Sequence, residues 1–233
     1  MSFSKLQKEL RKYASKETAK VLQGFFKTGP GEYGEGDIFL GVRVPYIRKI
    51  AKHYKSLPLG DIAKLLHSPI HEERLLALLI LILQFNQANA TDKNKIYNFY
   101  LKNSRYINNW DLVDLTAPNI VGEFLIARSK KQLYIFANSD SMWERRISIL
   151  STFKFIKNNR FADTLKIAKI LISDKEDLIH KAVGWMLREI GKRNKNVEKF
   201  FLKEYYKIMP RTMLRYAIEK FPEEERLAYL NHR

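Results

Sequence analysis

The segment from Ile107 to Pro118 carries the residue types whose spacing best suits chemistry. Trp110 and Asp114 lie four residues apart, which places both on one face of a helix. Asp111 would lie about 60° around that helix from Asp114. A positioned carboxylate can stabilise a positive charge that develops during a reaction. The alternative interpretation is that Trp110 belongs to the core and the aspartates cap the helix start, because carboxylates favour a helix's first turn.

Two further tryptophans open or lie within helical segments. Trp143 precedes Glu-Arg-Arg, and we interpret it as a packing residue. Trp185 follows Gly184, a residue that allows close approach to the backbone. Packing of another helix against Gly184 explains that glycine equally well.

Several chemistries are excluded by composition. The chain has no cysteine, so it has no disulfide, thiolate zinc site, iron–sulfur cluster or cysteine nucleophile. His67 and His71 are spaced i,i+4, but Pro69 between them interrupts the helix that a metal site would need. The other histidines have no suitable neighbours, and no catalytic triad or phosphate-binding loop is evident. We expect neither a metal nor a cofactor.

The charge is strongly basic and unevenly distributed. The chain has 42 Lys+Arg against 25 Asp+Glu, a net charge of +17. Residues 1–60 contribute +7, residues 61–140 contribute +1 and residues 141–233 contribute +9. Such an excess attracts polyanions, with nucleic acid the leading candidate partner and an anionic membrane surface the second. The longest apolar run, Leu75 to Leu83, is too short to span a membrane, and we expect a cytoplasmic monomer that associates with the nucleoid when it binds DNA.

Helical periodicity positions these residues. The stretch 71–85 is apolar around most of its circumference, as a central buried helix should be. No segment alternates over more than a few residues, so the chain is predicted to be all-α. The length allows one large domain or two small ones, and we predict one domain over residues 1–233. Amphipathic stretches are predicted at 3–13, 16–28, 45–56, 59–67, 92–103, 109–127, 129–138, 141–157, 160–172, 176–193, 196–208, 211–220 and 222–231.

One stretch is an exception to the helical pattern. Six of the ten glycines lie between Gly24 and Gly41, which predicts a loop or a short β-hairpin near residues 29–38. The segment contains Gly-x-Gly-x-x-Gly, but that fingerprint requires a preceding strand, whereas this segment follows a helix. Its two glutamates would also repel a pyrophosphate.

A weak repeat of about 36 residues runs through the chain. The segments that start at Glu72, Glu144 and Ile179 each have a polar or basic start followed by an apolar helix. Helical pairs of this kind stack into solenoids with a concave face. The corresponding cations, Arg74, Arg146 and Lys181, are predicted to line one face.

Three motifs resemble the AlkD family of DNA alkylation repair proteins. These are Asn109-Trp-Asp-Leu-Val-Asp114, Trp143-Glu-Arg-Arg146 and the segment from Lys181 to Glu189. The segment from Phe39 to Pro45, followed by Arg48, resembles the early helix of that family. The resemblance implies a superhelical solenoid of HEAT-like repeats whose basic concave groove holds double-stranded DNA. It further implies a monofunctional glycosylase that removes cationic 3-methyladenine and 7-methylguanine.

By the same resemblance, Asp114 stabilises the sugar cation and positions the attacking water. Trp110 and Trp185 pack against the deoxyribose, and Arg146 lies beside the aspartate and the DNA backbone. The remaining DNA contacts, assigned from charge and repeat position or from the family pattern, are Arg48, Arg145, Lys181, Arg188 and Phe25.

The chain departs from the family pattern at two places. Phe25 stands where a tyrosine is expected, and residues Gly29 to Ile38 form an insertion. The insertion resembles a hairpin of related subfamilies that bind branched DNA with little or no glycosylase activity. A non-catalytic reader of branched or damaged DNA is therefore the alternative, and a scaffold for an acidic protein is a third hypothesis.

Overall fold

Residues 3–231 are described by a computed structural model, and their regular structure is helical. The predicted all-α fold is confirmed. Backbone contacts divide the chain into two compact units, a first unit that ends at Thr116 and a second unit that begins at Ala117. Among the described residues, none of the helices is long and apolar enough to cross a membrane.

The first unit is built around its longest helix. Its helices are α1 (Phe3–Arg11), α2 (Lys16–Phe25), α3 (Val44–His53), α4 (Leu59–Leu66), α5 (His71–Gln87), α6 (Ala90–Lys102) and α7 (Trp110–Thr116). Helix α5 is the predicted central helix, and α3, α4 and α7 pack against it. Pro69 separates α4 from α5, as predicted, so His67 and His71 do not share a helix. A 3₁₀ turn, Ser104–Tyr106, leads into α7.

The Gly-rich segment forms a loop of successive turns over residues 29–36 rather than a hairpin. Ile38, at its end, forms an isolated parallel bridge with Ile70. Two glutamates close the loop on its own backbone: Gly29 donates its N–H to Glu32 at 2.8 Å, and Gly31 donates to Glu35 at 2.9 Å. These carboxylates satisfy backbone donors that have no helical partner.

The second unit is built around α13. Its helices are α8 (Glu123–Leu125), α9 (Lys131–Ala137), α10 (Met142–Ser151), α11 (Phe153–Lys157), α12 (Ala162–Ile170), α13 (Asp177–Gly191), α14 (Lys195–Tyr205), α15 (Arg211–Ala217) and α16 (Glu223–Asn231). A π-helical turn, Ala117–Gly122, precedes α8, and a 3₁₀ turn, Ile218–Lys220, follows α15. Helices α10, α11, α14 and α15 contact α13.

Two of the predicted helices are interrupted. The stretch 109–127 includes the π turn, which contains Pro118, a residue without an N–H for the helical ladder. The stretch 141–157 divides at Thr152, where the hydroxyls of Ser151 and Thr152 donate to the carbonyls of Ile147 and Ile149. Side chains that bond back to helix carbonyls in this way commonly bend a helix.

Candidate nucleic-acid interface

Trp110 lies in an aromatic cluster of the first unit. Its half-buried indole stacks on Phe26 with ring centroids 5.2 Å apart, and Phe25 meets it edge-on at 5.8 Å. Such pairs add stabilisation beyond their buried area. Phe26 is buried, whereas Phe25 is 62% exposed. Two residues that the sequence analysis proposed for the site, Phe25 and Trp110, are therefore neighbours on this unit.

A buried asparagine determines where α7 starts. The side-chain oxygen of Asn109 accepts the backbone N–H of Trp110 at 2.8 Å, and its amide donates to Asp37 at 3.1 Å. Asn109 is fully buried, and its bond to Asp37 lies away from water. A bond from this position satisfies one of the N–H groups that a helix start leaves unpaired.

Asp114 lies one helical turn beyond Trp110 and is half-buried. Beneath this part of α7, the Tyr100 hydroxyl bonds the Thr116 hydroxyl at 2.8 Å, and Thr116 donates to the Leu112 carbonyl. Burial raises the pKa of Tyr100, and the negative charge of Asp114 raises it further. Asp114 is thus close enough to the buried Tyr100 hydroxyl for its charge to disfavour ionisation of that hydroxyl.

A charged cluster lies beneath the start of α7. His71, which is 2% exposed, bonds Asp37 through Nδ1 at 3.1 Å and Asp111 through Nε2 at 2.9 Å. Arg74 donates to the other oxygen of Asp37 at 2.6 Å. Burial would lower the pKa of His71, but the hydrogen bonds to Asp111 and Asp37 outweigh it and raise that pKa to about 9. His71 and Arg74 in turn hold the pKa of Asp37 below its usual value, against the opposing effect of burial.

A second buried carboxylate binds the backbone segment that leads into α3. Glu72 accepts the backbone N–H groups of Leu40, Gly41 and Val42 at 3.0, 2.7 and 3.1 Å. Gly41 has a φ of +80°, and a Cβ there would lie 2.0 Å from the carbonyl oxygen of Ser15. Only glycine fits that position, because both its backbone conformation and its packing exclude a side chain.

In the second unit, Trp185 is half-buried on α13. Its indole N–H donates to Glu189 at 3.3 Å, and its ring lies 5.7 Å from that of Phe153. The alternatives for Gly184 are resolved in favour of helix packing. A Cβ on Gly184 would lie 2.4 Å from the carbonyl oxygen of Met213, so this glycine permits α15 to approach α13.

The prediction that a repeated cation lines one face is wrong for two of its three members. Arg74 and Arg146 are each 4% exposed. Arg74 neutralises the buried Asp37, and Arg146 donates to the carbonyl of Leu178 in the residues that open α13. The repeat places these cations at equivalent helix starts, but there Arg74 pairs with a buried carboxylate and Arg146 donates to a partly buried carbonyl, and neither faces solvent.

The proposed phosphate contacts Arg145 and Arg188 carry internal partners. Arg145 bonds Asp174 at 2.7 Å, and Arg188 bonds Glu219. Each arginine side chain is 16% exposed. A phosphate would therefore have to share these guanidinium groups with a carboxylate.

Lys181 and Arg48 are more accessible. Lys181 is 39% exposed and pairs with Asp177, one turn earlier on α13, at 2.7 Å. Pairs of this kind on a helix surface contribute little and exchange readily with solvent. Arg48 is exposed on α3.

Two features could not be predicted from the sequence: the ion pairs of His71 and the cations that lie over aromatic rings in the second unit. The sequence around His71 contains no local pattern that predicts its contacts with Asp37 and Asp111. In the second unit, cations lie over aromatic rings: Lys157 over Phe153 at 4.4 Å and Arg128 over Phe124 at 4.2 Å. Phe153 also contacts Trp185, so Lys157 lies close to the tryptophan that is proposed as the second aromatic contact with the DNA. Within residues 3–231, no group of three or more His, Asp or Glu side chains could hold a metal ion.

Comparison with known proteins identifies a family and solved structures that match most of the chain. The model of a family described as DNA alkylation repair enzyme matches residues 6–221. A predicted DNA alkylation repair enzyme from Enterococcus faecalis has the same fold, with a TM-score of 0.70, 15% identity and coverage of 90% of this chain and 97% of that one. AlkD2 from Streptococcus mutans has a TM-score of 0.54, 19% identity and coverage of 95% and 97%. No curated protein matches this chain. Because the family model spans nearly its full length, the chain belongs to the DNA alkylation repair enzyme family.

Proposed function

We propose that this protein is a DNA glycosylase that hydrolyses the N-glycosidic bond of cationic alkylpurines, 3-methyladenine and 7-methylguanine, in double-stranded DNA. Membership of a DNA alkylation repair family supports DNA as the partner. The observation that carries the activity is the surface of α7: Asp114 lies half-buried one turn from Trp110, and Phe25 lies exposed beside that indole.

This arrangement suits a reaction that needs one carboxylate. Hydrolysis of a glycosidic bond passes through an oxocarbenium-like state, and a positioned carboxylate stabilises that charge. An alkylated purine already carries a positive charge, so it leaves without a general acid. Asp114 is the carboxylate in this proposal, and it also orients the attacking water. Its half-buried setting strengthens the interaction, because fewer waters screen it.

The aromatic surface supplies contact with the sugar. Trp110 and Phe25 form a wall on which a deoxyribose can pack. By the resemblance, Trp185 in the second unit is proposed as a further contact with the deoxyribose, whereas Arg146, which is buried, is proposed to support Trp185 and not to meet the DNA backbone. Arg146 braces the start of α13, the helix that carries Trp185, through its bond to Leu178.

The charge distribution suits the DNA backbone. The net charge is +17, and exposed cations such as Arg48, Lys157 and Arg128 occur on both units. Each cation that neutralises a phosphate releases a counterion, which makes binding dependent on salt. Arg145, Lys181 and Arg188 are proposed as further contacts that exchange an internal carboxylate for a phosphate.

The test is release of 7-methylguanine from methylated duplex DNA by Asp114→Asn. We expect this substitution to abolish base release and to leave duplex binding nearly unchanged, because it removes the charge and keeps the shape. Asp140→Asn is the matched control, since it removes the same charge from an exposed position before α10. Release at only the uncatalysed rate by the unmodified protein would refute the proposal.

The loop at residues 29–36 favours a second candidate function, a non-catalytic reader of branched DNA. The loop is closed by Glu32 and Glu35, and the Tyr33 hydroxyl reaches the carbonyl of Phe25 at 3.5 Å. A loop held by its own bonds beside an exposed aromatic ring can act as a wedge at a junction. Deleting it should weaken binding to a four-way junction and leave linear duplex binding unchanged. Equal affinity of the unmodified protein for both DNAs contradicts this candidate.

A further inference from the structure

The ring of His71 is held between two carboxylates. Nδ1 lies 3.1 Å from Asp37 and Nε2 lies 2.9 Å from Asp111. A neutral imidazole has one N–H and one lone pair, so one of these contacts would set a lone pair against a carboxylate oxygen. Only the imidazolium donates at both ends. With both carboxylates ionised, the geometry therefore favours a charged His71.

The surroundings of the ring are consistent with that charge. Arg74 and His71 balance Asp37 and Asp111, so the cluster is neutral only when His71 carries its proton. The rings of Phe26 and Phe39 lie 4.9 and 4.6 Å from the imidazole.

The neighbouring carboxylates on α5 are engaged elsewhere. Glu72 bonds the backbone of residues 40–42, and Glu73 pairs with Arg11. Asp37 and Asp111 are thus the anions that face the ring.

His71 connects three separate parts of the first unit. Asp37 lies at the end of the Gly-rich loop, Asp111 lies in the first turn of α7, and His71 itself opens α5. Asp37 also accepts a bond from Asn109, the residue that caps α7. Loss of the proton on His71 would break one of its two bonds and leave an unpaired charge beneath that helix start.

We infer that His71, as an imidazolium, is a positioning residue. It fixes the start of α7 relative to the Gly-rich loop and thereby fixes the positions of Trp110 and Asp114. This role rests on the proposed function, because it concerns where the reacting carboxylate and the indole lie. Because His71 is buried, this role requires no contact with DNA. Its effect passes through Asp111 on one side and through Phe26, on which Trp110 stacks, on the other.

The first experiment follows the ring nitrogens of His71 by ¹⁵N NMR in the free protein. Both nitrogens are expected to be protonated at pH 7.5, with a titration midpoint near 9. The indole N–H resonance of Trp110 should shift with the same midpoint. This shift should be absent in His71→Gln, and Trp185, in the second unit, is the internal reference. A single protonated nitrogen at pH 7.5, or a Trp110 resonance that ignores the titration, overturns the inference.

The second experiment measures single-turnover base release. His71→Gln should slow release about tenfold to a hundredfold at nearly unchanged duplex affinity, because a small misplacement of a catalytic group costs that much. The wild-type rate should fall above pH 9, and this fall should vanish in the variant. His67→Gln is the control, since that exposed histidine bonds Asn103 and no carboxylate. An unchanged rate per folded molecule in His71→Gln overturns the inference.

A milder variant keeps the test decisive if His71→Gln does not fold. Asp111→Asn removes one of the two anions and keeps the side-chain shape, so the titration midpoint of His71 should fall by at least about one pH unit. An unmoved midpoint contradicts the inference. Absence of base release from the wild-type protein would defeat the proposed function alone, because the NMR measurements use no DNA.

Discussion

Glu198 provides the sharpest prediction about pH and stability. The residue is 1% exposed near the start of α14, and its Oε1 atom has no hydrogen-bond partner among residues 3–231. A Cβ on Gly191 would lie 1.7 Å from its other oxygen, so the carboxyl packs directly on the end of α13. Burial raises the pKa of Glu198 to about 8, and the charges of Lys195 and Arg188 only partly oppose this rise.

The sign and size of the effect follow from linkage. The native state keeps the proton of Glu198 up to about pH 8, whereas the unfolded chain releases it near 4.5. The native state is therefore destabilised as pH rises from 4.5 to 8, and the loss is complete above pH 8. At 1.36 kcal/mol per pH unit, the free energy of unfolding should fall by about 3–4 kcal/mol between pH 5 and pH 8 from this group alone.

Glu198→Gln isolates this contribution, because an amide of the same shape does not titrate. Urea unfolding is measured from pH 5 to pH 8 in a Trp110→Phe background, where the fluorescence of Trp143 and Trp185 reports on the second unit. The variant should lose less stability than the parent as pH rises, and it should be the more stable protein at pH 8. Parallel curves for the two proteins would refute the assignment of the titration to Glu198.

Three further predictions concern other sites. The free energy of unfolding of the first unit should fall by about 3 kcal/mol as pH rises from 6.5 to 9, because the pKa of His71 is higher in the folded state. Urea unfolding of His71→Gln should lack this pH dependence. An equal pH dependence in the variant would contradict the prediction. Gly184→Ala should lower the free energy of unfolding by about 1–3 kcal/mol, because the added Cβ clashes with Met213. Gly60→Ala is the control and should not lower it, since a Cβ there meets nothing within 4 Å. Equal unfolding midpoints for the two variants would refute the packing account. Arg48→Ala should reduce the slope of log K against log salt for duplex binding by about one, and an unchanged slope would remove Arg48 from the interface.

The helices of this protein were largely predictable from local pattern. The stretch 71–85 is apolar around its circumference and forms the central helix α5, because a segment without a polar face must be buried on all sides. The breaks were less predictable. The π turn that contains Pro118 depends on a missing backbone N–H, and the division at Thr152 depends on hydroxyls that bond helix carbonyls. The spacing of apolar residues carries no information about these hydrogen bonds.

The spacing of Trp110 and Asp114 predicts that they share a face of α7, and the structure places Phe25, a proposed DNA contact, beside Trp110. The family resemblance located Trp110 and Asp114, but it did not indicate what holds them. His71, Asp37 and Asp111 are separated by 34 and 40 residues, and only the packing of the loop, α5 and α7 brings them together.

What the sequence determined by itself was the helical class, the basic charge and the α7 motif, because periodicity, composition and short spacing are local properties. What only the tertiary structure decided was the environment of each charge. Arg74 and Arg146 have the repeat position of surface cations, yet both are buried and each bonds an acceptor of its own unit. Burial depends on which distant segments pack around a side chain, and it determines both the protonation state and the function that remain open to that side chain.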